Sequence, residues 1–373
     1  MKQLVNNQKA FLELLKAGLW EEEVRLSSLG EIDFREICRI ATEQSVVGLV
    51  AAGIEHMTDV KAPQDISLTI AGETLQLEQR NKAMNVFIAE LIEKLRKSGI
   101  YALLVKGQGI AQCYERPLWR ACGDVDLFLE GNHYFMAMAN MEPMATVLED
   151  EDVERQHLEL AIGGWIVELH GTLRTSLGKK INHVIDEVQR DTFENSNVRV
   201  WRNGDVDVCL PNVDNDIVFV FTHILQHFFM GGIGLRQICD WCRLLWIYRD
   251  EIDRDLLEKR LKDMVLLSEW KAYAALSVDY MGLPKEIVPL YDSSKCWSNK
   301  ALQILMFIFE TGNFGQNRDT LYYQKYPFLI YKTISLWRNT WDTIRHLRIF
   351  PKDAARIWFI RLGESIKVAM SGK

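Results

Sequence analysis

Two aspartates one residue apart, Asp124 and Asp126, open the apolar run Gly123-Asp124-Val125-Asp126-Leu127-Phe128-Leu129. In an extended strand residues i and i+2 share a face, so the two carboxylates project side by side. They repel one another at that spacing unless a cation lies between them, and hard oxygen donors suit Mg²⁺ or Mn²⁺. Upstream, Lys106-Gly107-Gln108-Gly109 follows a short apolar run. Glycines at the start of a helix let backbone N–H groups approach a phosphate. Lys106 and Arg120 add positive charge suited to a polyphosphate. A third acid is expected on a neighbouring strand, and Glu168 in Trp165-Ile166-Val167-Glu168-Leu169-His170 is the candidate. It shares a strand face with His170, and it suits either binding a second metal or accepting the proton of an attacking hydroxyl.

The elements that must position these residues follow from periodicity. Residues 1–100 read as helical, with apolar stripes at Phe11, Leu12, Leu14, Leu15 and Leu19, then at Ile37, Ile40, Ala41 and 46–52. Residues 66–98 are nearly free of breakers and predict one long helix or two in line, stopped by Gly99. A strand at 101–105, a short helical segment through Tyr114 and a strand at 125–129 come next. Asn132 is placed to cap a helix over 133–141. Segments 157–162 and 165–170 alternate around Gly163-Gly164 as a hairpin, and 198–201 and 206–210 form another through Asn203-Gly204. After Pro211 a helix capped by Asp214 or Asn215 runs to Met230, Gly231-Gly232-Ile233-Gly234 breaks it, and helices at 235–249, 253–264 and 268–281 follow, with more to the end. The pattern predicts an α+β fold, with a small mixed-sheet core over 101–210 between helical regions at 1–100 and 211–373.

The bulk numbers exclude some classes. With 48% hydrophobic and 25% charged residues, the chain of 373 residues has an ordinary globular balance. Its net charge of −7 argues against a surface coated for nucleic acid, so none is expected as a partner. No run reaches the roughly 18 apolar residues of a membrane span, and the first residues lack the apolar core of a secretory signal. The seven scattered cysteines fit reduced thiols better than a disulfide framework. A cytoplasmic location is the expectation.

Other motifs have plainer readings. Gly204-Asp205-Val206-Asp207 repeats the letters of the first acidic motif but sits at a tight turn, and is read as a solvated hairpin. His223 and His227 have an i, i+4 spacing that zinc can use, yet no further ligand is evident, so packed or hydrogen-bonded histidines are expected. Cys239 and Cys242 lie in an apolar helical run and read as buried thiols. Arg236 and Asp240, also i, i+4, can pair with each other. The basic tail after Lys325, with Trp337, Trp341 and Trp358, is expected to pack an apolar face on the body. An Asp-x-Asp pair also marks some sugar-nucleotide transferases, but that reading lacks a long nucleotide-binding sheet ahead of the motif.

Taken together, these residues resemble the nucleotidyltransferase superfamily that includes DNA polymerase β and the aminoglycoside nucleotidyltransferases. Its pattern is a small-residue pair after one strand, Asp-x-Asp on the next, and a third acid. Over roughly residues 85–250 the chain is similar to a bacterial branch of uncharacterised nucleotidyltransferases, through Val105-Lys106-Gly107, Arg120, Gly123-Asp124-Val125-Asp126, Glu168-Leu169-His170, His223, His227, Arg236 and Asp240. The resemblance implies a palm-like core with Asp124, Asp126 and Glu168 as catalytic metal ligands. It places Lys106, Gly107, Gln108, Arg120, Gly123, His170, Arg236 and Asp240 around the nucleotide. It further implies attack of a hydroxyl on the α-phosphate of an NTP, ATP foremost, with two Mg²⁺ ions and loss of pyrophosphate. The acceptor would be a small molecule, a sugar or a protein. Where the superfamily usually has Gly-Ser or Gly-Gly, this chain has Lys106-Gly107-Gln108. That departure keeps open a catalytically inactive nucleotide-binding or scaffold protein on the same fold.

Overall fold

The computed structural model describes residues 4–153, 155–315, 317 and 325–371. The chain opens with α1 (Asn6–Trp20), α2 (Phe34–Glu43), α3 (Val47–Glu55) and the 34-residue α4 (Gln64–Lys97). The mixed block then holds β1 (Leu103–Val105), α5 (Gly107–Ala111), β2 (Asp124–Phe128), α6 (Asn132–Met141), β3 (Val147–Leu148), β4 (His157–Ile162), β5 (Trp165–His170), α7 (Lys179–Glu194), β6 (Val198–Asn203) and β7 (Val206–Pro211). Helices α8 (Val213–Met230), α9 (Leu235–Ile247), α10 (Arg254–Met264), α11 (Leu267–Met281), α12 (Lys295–Thr311), α13 (Phe328–Ile349) and α14 (Pro351–Ser371) follow. The fold is α+β: a five-stranded mixed sheet flanked by helices, with a separate two-stranded β6–β7 ribbon.

Sheet order is β1-β2-β5-β4-β3. β1 runs antiparallel to β2, β2 parallel to β5, and β5 antiparallel to β4. Alternation divides the sheet by chemistry. Val125, Leu127, Val167, Leu169, Leu158 and Leu160 point to one face and bury against Met84, Ile88, Leu91 and Leu95 of α4 and against α6. The even-numbered residues of β2 and β5 point the other way. A one-residue slip would send the acids into this apolar layer, so the core fixes the register that positions them.

A second apolar cluster joins α1, α3, α8, α9, α11 and α12 around the fully buried Trp241 and Trp270. Gly18 and Gly53 allow α1 and α3 to cross closely, since a Cβ at either would lie about 2 Å from a carbonyl oxygen of the other helix. No helix among the described residues is long and apolar enough to cross a membrane.

Some local expectations need correction. The residue before α6 is Gly131, and Asn132 is its first helical residue. For α8 the cap is Asn212, whose side chain accepts from the Asn215 amide; neither Asp214 nor Asn215 does this work. Helix α7 adds to the predicted pattern, although Ile181, Val184, Ile185 and Val188 carry a plain i, i+3, i+4, i+7 stripe. In the tail, Ile349, Phe350, Ala354 and Ile357 are buried as expected, while Trp337 and Trp341 stand exposed.

The tail also meets the body through an acid pair. Glu269 on α11 is fully buried beside Asp353 of α14, and burial, reinforced by Asp353, pushes its carboxyl up to about 8. Between its ordinary value of 4.5 and about 8, the folded chain holds a proton that the unfolded chain has lost, so stability falls as pH rises through that window. Glu269→Gln should therefore flatten the decline in melting temperature between pH 5 and about pH 8 relative to the parent. Thermal melts across that range read the difference.

Candidate active site

The acidic face of the sheet looks onto α8, and the cleft between them is where the chemistry-bearing residues meet. Asp126 pairs in register with Glu168, and Asp124 precedes it on the same face. The sheet therefore brings Asp124, Asp126 and Glu168 to one side. His170 follows Glu168, and its Nε2 lies 2.9 Å from Asp126 Oδ1 and 3.2 Å from Glu168 Oε2. Lys106 sits on the turn between β1 and α5, and its Nζ is 2.6 Å from the same Asp126 oxygen.

The turn is strained. Lys106 has φ 56° and ψ −146°, close to a region reserved for glycine, and Gly107 follows at φ 43°. A non-glycine residue held there costs about 1–3 kcal/mol, and such outliers cluster at ligand clamps. The Lys106 side chain ion-pairs with Asp126 and lies over the Phe219 ring.

Electrostatics follow from crowding. Asp124 is raised above the ordinary carboxylate value, first by the charge of Asp126 and then by burial. Burial opposes ionisation of Glu168, but hydrogen bonds with His157 and His170 and the charge of Lys106 hold it well below that value. Burial would lower Lys106, yet Asp126, Glu168 and Asp124 together raise it. His170 is likewise raised against its own desolvation, by Asp126 and Glu168.

A divalent cation fits this set. Asp124 has no side-chain hydrogen-bond donor among the described residues, and both contacts to Asp126 fall on one oxygen. Among the described residues Glu168 accepts only at Oε2. The remaining carboxylate oxygens are the hard donors Mg²⁺ or Mn²⁺ prefers. His157, Glu168 and His170 also offer ligand atoms within 4.8 Å of one another. A metal needs the neutral imidazole, however, and Asp126 and Glu168 favour the protonated form of His170.

Two connected cavities surround the acids. The outer, about 250 Å³, is lined by Lys106, Asp124, Glu168, His157, His170 and Arg155, among others. The inner, about 40 Å³, lies over Gly107 and is lined by Lys106, Asp124, Asp126, Arg236 and Asp240. His223 and His227 sit above the outer cavity, with their rings 4.3 Å apart. Burial and the nearby charge of Lys106 lower both, His227 to about 4, so they stay neutral. No third ligand completes a metal set with them among the described residues. They pack as aromatic walls.

The other named residues fall into two groups. Arg236 reaches the inner cavity, where Nη1 donates to the Ala121 carbonyl at 2.8 Å while its buried Nε has no partner among the described residues. Asp240 does not pair with Arg236. It accepts from Arg120 at 3.0 and 2.6 Å and from Tyr114 at 2.7 Å, so the Arg120 charge is paired, although Arg120 lines the inner cavity and its buried Nη1 has no partner among the described residues. Asp240→Asn should leave the Arg120 guanidinium buried beside a neutral amide. Breaking such a pair costs about 3–5 kcal/mol, which denaturant unfolding would measure. Gln108 also turns from the cleft: its amide donates to Asn81 of α4 at 2.9 Å, because its side chain projects to the buried side of α5. A Cβ on Gly123 would meet nothing within 4 Å, so no close approach requires that glycine.

Sequence reasoning passed over His157 and Glu159. Both occupy the acidic face of β4, opposite His170 and Glu168. A two-residue turn at Gly163-Gly164 dictates those pairings, so counting back from the turn would have found them. The repeated motif behaves as a turn: Gly204 has φ 61° in the β6–β7 hairpin, and Asp205 is fully exposed. Cys239 and Cys242 are fully buried free thiols.

A family model described as uncharacterised nucleotidyltransferase matches residues 30–282, more than half of the chain. The chain belongs to that family. The family span takes in the sheet, both cavity walls from α5 and α8, and the Arg120–Asp240 pair, and it ends just past α11. Helices α12 to α14 and the loop after α12 lie beyond it. The chain matches no curated protein and no solved structure.

Proposed function

We propose that this nucleotidyltransferase-family protein transfers NMP from an NTP, ATP foremost, to a hydroxyl of a small-molecule, sugar or protein acceptor. The observation that carries the reading is the convergence of Asp124, Asp126 and Glu168 on one sheet face, beside a cavity floored by Lys106 and Arg236.

Asp124, Asp126 and Glu168 would hold Mg²⁺ or Mn²⁺. Bound there, the metal supplies charge compensation for the attacking and leaving oxygens of an in-line displacement. The chain's own residues do the rest. Lys106 and Arg236 offer two cations to the phosphates in the inner cavity. Glu168, kept ionised by two histidines and Lys106, suits a metal ligand better than a general base, since a lowered carboxyl is a weak proton acceptor. His170 orients Asp126 and Glu168 by bonding both. His223, His227 and the apolar ring of Phe219 line one side of the cleft. Arg120 and Asp240, paired with each other, line the same inner cavity and would position the loop before β2 beside the phosphates.

The alternative, nucleotide binding without turnover, draws on the Lys106–Asp126 contact, which neutralises part of the acidic cluster without a metal. Calorimetric titration with a non-hydrolysable ATP analogue, with and without Mg²⁺, tests the shared part of both readings. Mg²⁺-dependent binding is expected, and affinity indifferent to Mg²⁺ would count against the metal site. Release of pyrophosphate from ATP then separates transferase from scaffold.

A further inference from the structure

Phe314 lies outside the family span, in the loop that follows α12, yet it lines both cavities of the cleft. Its backbone is in the left-handed region at φ 50° and ψ 25°, between Gly312 at φ 68° and Gly315 at φ 75°. A bulky non-glycine residue there is an outlier that costs free energy, and it persists only where its surroundings fix it. They do. Asn313 donates to Ser45 Oγ at 2.8 Å and accepts from Gln237 Nε2 at 3.1 Å. The loop also presses on the Gly232–Gly234 break: a Cβ on Gly234 would lie 2.8 Å from the Asn313 side chain, and one on Gly232 would lie 3.0 Å from the Gly315 nitrogen.

The strained loop does not bury the ring it carries. Phe314 is 47% exposed, and its one aromatic contact among the described residues is edge-on to His227, with centroids 4.9 Å apart. A large apolar ring is thus held half-exposed, at the mouth of a cleft whose floor bears Lys106 and Arg236. The His227 ring that supports it is neutral.

We infer that Phe314 is the nucleobase platform of this cleft: the base of the bound nucleotide stacks on its free face while the phosphates occupy the inner cavity. The inference rests on the proposed function, since it assumes that the cavity over Gly107 takes the phosphates. Because Phe314 borders that same cavity, a base tethered through ribose to phosphates there reaches the ring. Stacking uses the π-face that every base has, so this platform favours purines over pyrimidines by ring area and makes no hydrogen-bond choice between adenine and guanine.

The test is a Mg²⁺-dependent binding series on the full chain with Phe314→Leu and Phe314→Tyr, using ATP, GTP, CTP, UTP and inorganic tripolyphosphate as probes. Phe314→Leu should weaken ATP and GTP by roughly 5- to 150-fold, weaken CTP and UTP less, and leave tripolyphosphate unchanged. Phe314→Tyr should restore purine affinity, and neither variant should lower the melting temperature. Equal affinity of parent and Phe314→Leu for ATP overturns the platform while leaving the nucleotidyltransferase reading intact. Equal loss for tripolyphosphate and ATP also overturns it, because the ring would then be supporting the phosphate site. A parent chain that binds none of the probes fails the functional reading itself, and the platform with it.

Discussion

Replacing Asp124 with Asn is expected to cut nucleotidyl transfer sharply while making the metal-free protein more stable. The two effects have one cause. No side-chain donor among the described residues bonds Asp124, and its carboxyl is raised chiefly by the charge of Asp126. For a carboxyl raised in the folded state, the cost begins as pH climbs past its ordinary 3.8 and is complete once pH exceeds the raised value. An amide removes that cost at neutral pH. The same change deletes a hard anionic donor proposed for the metal, and turnover should fall by about 10²–10³-fold, the loss that removing one preorganised group at a reacting centre brings. Paired melts at pH 7 without metal, together with pyrophosphate release, measure both arms. Addition of Mg²⁺ should stabilise the parent and leave the variant unmoved. A variant that melts lower than the parent without metal would mean that Asp124 has a structural partner instead of a like-charged neighbour.

The second large effect is at Lys106, whose sign is opposite. Its Nζ meets Asp126 at 2.6 Å and is raised by the charges of Asp126, Glu168 and Asp124 against its own desolvation. Lys106→Met removes the central cation and leaves three acids facing one another. Stability without metal should drop by about 3–5 kcal/mol, the cost of breaking a buried pair by deleting one partner. Mg²⁺ should then recover more of the melting temperature in the variant than it adds to the parent, because the metal no longer competes with the lysine charge. Nucleotide affinity should fall even at saturating Mg²⁺. If variant and parent melt together without metal, the cluster is not balanced by Lys106, and the strained turn must be kept for another reason.

Much of this arrangement is legible in the chain because it is local. Alternation in β2 and β5 assigns the acids and the apolar residues to opposite faces, and Gly163-Gly164 fixes the β4–β5 register. The parallel pairing of β2 with β5 is less local, but an apolar layer on one face allows few registers that keep Asp126 and Glu168 together. What escapes sequence reasoning is long-range. Arg236 and Asp240 are one helical turn apart and look like natural partners, yet Asp240 is taken by Arg120, 120 positions away. Spacing along one helix says nothing of a competing guanidinium from another element. Gln108 sits in the middle of the Lys106-Gly107-Gln108-Gly109 turn, and only the packing of α5 on α4 shows that its side chain meets Asn81. Phe314 has no motif around it. Its value lies in a backbone conformation fixed by Ser45, Gln237 and the Gly232–Gly234 break, none of them near it in sequence.

The proposed chemistry requires the three acids to share a divalent cation. Crystals soaked in Mn²⁺ and a non-hydrolysable ATP analogue, examined by anomalous diffraction at the manganese edge, address it directly. A peak within bonding distance of Asp124 and Asp126, with Glu168 facing it and phosphate oxygens completing the shell, is the predicted result. Manganese held by His157, Glu168 and His170 with the aspartates bare, or no peak in a crystal whose nucleotide is ordered, would contradict it.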